Sequence, residues 1–138
     1  MNSYNHPGYL LVAQWMMETI LGIAPSAEGP GFRRFTIRPR MGSLRRAKGS
    51  YRSVYGIITV AWQADPNRFT LAVTVPPGST AVAYIPCRSL NALSEGGEPI
   101  IKSRGVKVLG EGADTVRLEL APGAYKFEAA QGRPGGAR

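Results

Sequence analysis

The side chains able to do chemistry are few. His6 is the single histidine and Cys87 the single cysteine. A nucleophile–base pair or a zinc site of the usual ligand set therefore lacks members. Acid–base work by two carboxyl groups needs them close together, one of them in surroundings that raise its pKa. The closest pairs, Glu95/Glu98 and Glu111/Asp114, flank Gly96-Gly97 and Gly112 and read as solvated loop charges, while Glu18 falls in an apolar run and Asp65 in a turn. No Gly-x-Ser-x-Gly elbow is present to position a serine. Gly110-Glu111-Gly112 lacks the helix and the lysine of a phosphate cradle. No catalytic pair, metal site or cofactor is assigned to this chain. Cys87, after Ile85-Pro86, reads as a small apolar residue at the end of a strand.

The elements that must position these residues are mostly strands. Phe69, Leu71, Val73 and Val75 alternate with Thr70, Ala72 and Thr74, so one face points inward and the other to water. Tyr55 to Gln63 and Arg68 to Val75 form a hairpin about Asp65-Pro66-Asn67. Phe35-Thr36-Ile37, Thr80 to Ile85, Val106 to Val108, Val116 to Leu120 and Tyr125 to Phe127 supply further strands, with Leu44 to Tyr51 suited to an edge. Ala24 to Gly31 reads as a connector and Asn91 to Pro99 as a loop. Strands at this spacing, separated by turn residues such as Pro76-Pro77-Gly78 and Pro122-Gly123, indicate an antiparallel β-sandwich of the jelly-roll kind. Gln131 to Arg138 reads as a disordered tail.

The formal net charge is +8, and residues 29–64 contain no acid. Arg33, Arg34, Arg38, Arg40, Arg45, Arg46, Lys48 and Arg52 all lie in that span. A basic cluster is the electrostatic footprint of nucleic-acid binding. Tyr51 and Tyr55 stand nearby, but no recognition helix, RNA-binding signature or zinc ligand set accompanies them, which weighs against a nucleic-acid partner.

Ahead of the strands stands one N-terminal α-helix, from Gly8 to Ile23, started by His6-Pro7 and stopped by Gly22 and Pro25. Between Leu10 and Ile23 the only polar side chains are Gln14, Glu18 and Thr19. A helix apolar most of the way round expects cover on most sides. It is shorter than the ~20 residues that cross a bilayer, contains Glu18, and has no basic residues before it, so neither a membrane span nor a signal peptide is read. One β domain covers one side of it. The chain thus reads as the tail of a larger protein, and by itself it is expected to form a homo-oligomer through this helix.

An ordered series of short motifs supports that reading. Ser3-Tyr4-Asn5-His6, Trp15, Leu21-Gly22-Ile23, Pro30-Gly31-Phe32, Phe35-Thr36-Ile37-Arg38-Pro39, Ala47-Lys48-Gly49-Ser50-Tyr51, Ser53-Val54-Tyr55-Gly56 and Val75-Pro76-Pro77 follow one another. The series resembles the C-terminal end of bacterial α-L-rhamnosidases, glycoside hydrolase family 78, over roughly residues 2–128. The resemblance implies that residues 1–24 are the last helix of an (α/α)6 catalytic barrel, and residues 25–130 a C-terminal β-sandwich that braces it. It implies a parent that releases terminal α-L-rhamnose from glycosides with inversion, with rhamnosides as partners of the barrel. His6, with Asn5 and Tyr4, would line the parent's sugar pocket. Both catalytic carboxylates of the family come from barrel segments outside this chain, so the piece itself is expected to be inactive. Two rivals remain: a stand-alone carbohydrate-binding module and a basic nucleic-acid-binding domain. Trp15 and Trp62 have faces of the kind sugars stack on, but both read as core. The sequence names no compartment.

Overall fold

A computed structural model of the chain describes residues 16–26, 32–40 and 42–130. Most of the expected helix and the C-terminal tail lie outside these residues. The last helical turn, Met16–Leu21, is wound as a π-helix rather than an α-helix. It ends at Leu21, two residues earlier than Ile23, because Gly22 takes a left-handed conformation, φ 79°.

Eleven strands follow: β1 Ile23–Pro25, β2 Arg34–Ile37, β3 Arg46–Ser53, β4 Gly56–Asp65, β5 Arg68–Val75, β6 Thr80–Pro86, β7 Leu93–Glu95, β8 Glu98–Pro99, β9 Val106–Glu111, β10 Thr115–Leu120 and β11 Gly123–Ala130. They form a five-stranded sheet in the order β1-β2-β6-β10-β9 and a six-stranded sheet in the order β3-β4-β5-β11-β7-β8. The expected mainly-β sandwich is present. Its core is drawn from both inner faces: Phe35, Ile37, Ile85, Leu118 and Leu120 from one sheet meet Ile58, Trp62, Phe69, Leu71 and Phe127 from the other.

Three local expectations change. Ile23, expected to end the helix, and Ala24 and Pro25, expected as connector, are strand, because they pair with Ile37, Thr36 and Phe35. Residues 91–99 are not simply a loop: β7 and β8 pair about Gly96-Gly97, and Leu93 is buried. One neighbouring pair, β2 with β6, runs parallel. Between them the chain passes through β3, β4 and β5 of the other sheet, the long crossover that a parallel pair requires.

Phe32 closes the gap between the sheets on one side. It is the one non-glycine described with a positive φ, 71°, a strained state for a bulky residue. Its ring packs on Tyr51 at 4.7 Å, and its carbonyl accepts the hydroxyl of buried Ser79 at 3.1 Å. That bond satisfies a hydroxyl that is otherwise shut away from water.

Tyr125 secures another corner. Its buried phenol donates to the Ala121 carbonyl, four residues upstream, at 2.6 Å. Burial first, and then the charge of Glu95, push its pKa up. The unfolded chain therefore loses this proton first as pH rises. The contribution to stability is complete below the ordinary tyrosine value of about 10 and declines above it. Tyr125→Phe should cost about 1 kcal/mol at neutral pH, and should make stability less sensitive to alkali. Urea unfolding of both proteins at neutral pH and above pH ~10 checks both effects. Equal alkaline slopes would contradict them.

Candidate functional site

Tyr4, Asn5, His6 and Trp15 lie outside the described residues, as does Glu28, and the side chain of Glu18 is likewise not described. The remaining acids serve structural contacts or face water. Glu95 accepts from the Ser103 hydroxyl at 2.9 Å and from the Lys126 backbone N–H at 3.2 Å. Glu98 lies opposite it on β8, exposed, so this pair sits on a short hairpin rather than in a loop. The hairpin tip is open: a methyl group added at Gly96 or Gly97 would meet nothing within 4 Å. Glu111, at the end of β9, accepts from the Leu90 N–H at 2.6 Å, and Asp114 is exposed. Glu119 pairs with Arg34 at 2.9 Å, Glu128 with Arg68 at 3.5 Å, and Asp65 accepts from Gln63 at 3.3 Å. No two of these carboxylates share an apolar pocket of the kind that keeps one protonated.

Cys87 is buried, its thiol donating to the Ser89 carbonyl at 3.0 Å. Burial is the main cause that pushes its pKa up, which makes it a packing residue and a poor nucleophile. Trp62 is 2% exposed and turned into the core, so its ring is closed to a ligand. Among the described residues no group of three or more His, Cys, Asp or Glu is placed to hold a metal ion, and no helix is long and apolar enough to cross a membrane.

The basic cluster, continuous in sequence, is divided in space. Arg34 and Arg38 lie with β2 in the five-stranded sheet, Arg34 paired with Glu119 and Arg38 over the Tyr84 ring at 4.8 Å. Arg46, Lys48 and Arg52 are the exposed alternating positions of β3, at the edge of the six-stranded sheet. On that outer face the strand register builds a groove. Lys48 faces Ala61, Ala61 faces Ala72, and Ala72 faces Lys126, one unbroken row across β3, β4, β5 and β11. The rows beside it are Arg46, Gln63 and Thr70, and Ser50, Thr59, Thr74 and Ala124. Small floor side chains between long basic ones leave two adjoining depressions of ≈ 560 Å³ each, sharing Lys48, Ala61 and Ala72. Sequence reasoning missed Lys126. Its alternation with Tyr125 and Phe127 sends it outward, but nothing local says that β11 lies two strands from β4.

Comparison with known proteins agrees with the fold. An alpha-L-rhamnosidase of Formosa agariphila is 30% identical over 130 residues, covering 94% of this chain and 14% of that protein. One from Streptomyces avermitilis is 40% identical over 87 residues, 62% of this chain and 8% of that protein. The crystal structure of a Streptomyces avermitilis alpha-L-rhamnosidase complexed with L-rhamnose superimposes with a TM-score of 0.72 at 27% identity, over 86% of this chain and 11% of its own. That of alpha-L-rhamnosidase from Dictyoglumus thermophilum has a TM-score of 0.72 at 23% identity, over 87% of this chain and 13% of its own, and shares the fold. The chain thus spans a small fraction of the length of each relative. The sequence model of the bacterial alpha-L-rhamnosidase C-terminal domain matches residues 22–98, more than half of the chain and the stretch from β1 to the start of β8. This chain belongs to that family of bacterial alpha-L-rhamnosidase C-terminal domains.

Proposed function

We propose that this chain is the non-catalytic C-terminal part of an α-L-rhamnosidase, and that its sandwich braces a catalytic barrel carried by the rest of the protein. The observation that carries this reading is coverage: 94% of the chain aligns with a relative of which it makes up only 14%. In that setting residues 1–24 complete the barrel as its last helix, and His6, with Asn5 and Tyr4, reaches the sugar pocket. The parent hydrolyses terminal α-L-rhamnose with inversion, and its two carboxyl groups lie elsewhere in it. The chain by itself, without the parent's barrel helices to cover its apolar helix, should pair with a second copy through that helix. The chain by itself should not hydrolyse an aryl α-L-rhamnoside above background. Turnover that co-purifies with the chain and disappears when one of its own acids is replaced would refute the proposal.

A further inference from the structure

We propose that the groove on the outer face of the six-stranded sheet binds an anionic oligosaccharide, sulfated or uronate-bearing, laid along β4 and β5. The walls decide the charge. Lys48 and Lys126 stand in one row, separated by three strand spacings or ~14 Å, with Arg46 beside Lys48. No carboxylate among the described residues pairs with these three, and none lines either depression. Two acids of this face flank the groove: Glu128, opposite Thr70, is engaged by Arg68, and Asp65 accepts from the Gln63 amide at 3.3 Å. A groove with cations on both walls and no acid within focuses a positive field on its floor.

The floor decides the rest. Ala61 and Ala72 leave room for a chain to settle, while the Ser50, Thr59, Thr70 and Thr74 hydroxyls and the Gln63 amide offer hydrogen bonds to neutral hydroxyl groups. Trp62 and Tyr125 contribute only the backs of their strands, because both rings are buried in the core. A single-stranded nucleic acid would find cations for its phosphates but no ring face for its bases. Anionic groups at intervals along a hydroxyl-rich chain match what is present. The choice of a saccharide rests on the rhamnosidase reading; the choice of an anion rests on the groove.

Isothermal titration of the full 138-residue chain tests this. The probes are a dextran sulfate hexasaccharide, hexagalacturonate, neutral isomaltohexaose and an oligothymidylate of matched charge. Both anionic saccharides should bind, the neutral one should not, and the oligothymidylate should bind at least about tenfold more weakly than either anionic saccharide. Lys48→Glu with Lys126→Glu should weaken saccharide binding by about tenfold or more, since two charge-assisted contacts are lost. Lys102→Glu with Arg104→Glu, the same charge change at exposed sites away from the groove, should leave it nearly unchanged. If the reversal unfolds the chain, Lys48→Gln with Lys126→Gln makes the same comparison against Lys102→Gln with Arg104→Gln. Equal loss in the control pair would reduce the effect to net charge and overturn the proposal. Equal or tighter binding of the oligothymidylate, or no binding of either anionic saccharide, would overturn it as well. Rhamnoside turnover by the chain's own acids would sink the preceding reading while leaving these titrations to be judged on their own.

Discussion

Trp62→Ala is expected to lower the free energy of unfolding by about 3–5 kcal/mol, a large part of the ~5–15 kcal/mol that a domain retains. Trp62 is 2% exposed and stacks on Phe69 with ring centroids 6.4 Å apart. Its indole N–H donates to the Ile20 carbonyl at 2.9 Å, across 42 residues of sequence. The alanine variant therefore loses two things: packing between the sheets, and the bond that ties the helical turn to β4. Trp62→Phe separates them. It keeps most of the ring volume, gives up the hydrogen bond, and should cost about 1 kcal/mol from that bond, besides any small packing loss. Urea unfolding of the two variants measures the difference. Near-equal losses would place the value of Trp62 in its hydrogen bond rather than in its packing.

Gly22→Ala should be comparably severe, about 3 kcal/mol or more from left-handed strain combined with a backbone clash. At φ 79° an added methyl group falls on the Arg38 carbonyl and the Pro39 nitrogen, which are backbone atoms and cannot rotate away. Gly22 also accepts the Arg38 N–H at 2.8 Å, the bond that leads into the β1–β2 pairing. The change should lower the melting temperature and speed amide exchange along β1 and β2. Gly42→Ala is the control: its φ is also positive, 51°, but nothing lies near its added methyl group. It should cost only about 1–2 kcal/mol, the left-handed penalty alone. Similar losses at both positions would show that conformation, not the contact with Arg38, makes Gly22 necessary.

Much of the fold was legible because alternation is a local property. Phe69 to Val75 shows a two-residue period, and these residues do form β5 with the odd positions buried. Val116, Leu118 and Leu120 announce β10 in the same way. Leu44 to Tyr51, polar and basic, reads as an edge, and β3 is the edge of its sheet. The short strands were not legible. β1 has three residues and ends in proline, and β7 turns only Leu93 fully inward, so neither shows a period.

The candidate site divides along the same line. From residue types alone follow the inward roles of Cys87 and Trp62 and the abundance of positive charge. Those properties depend on what each side chain is and on its immediate neighbours. Where the charge collects does not. Arg34 and Lys48 are 14 residues apart yet lie in different sheets, whereas Lys48 and Lys126 are 78 apart yet share one row of a single sheet. Strand order arises from long-range backbone pairing, which satisfies the same amide and carbonyl groups whichever strands are joined. Only packing of the two apolar faces selects one arrangement, and that selection set the two lysines across a floor of alanines.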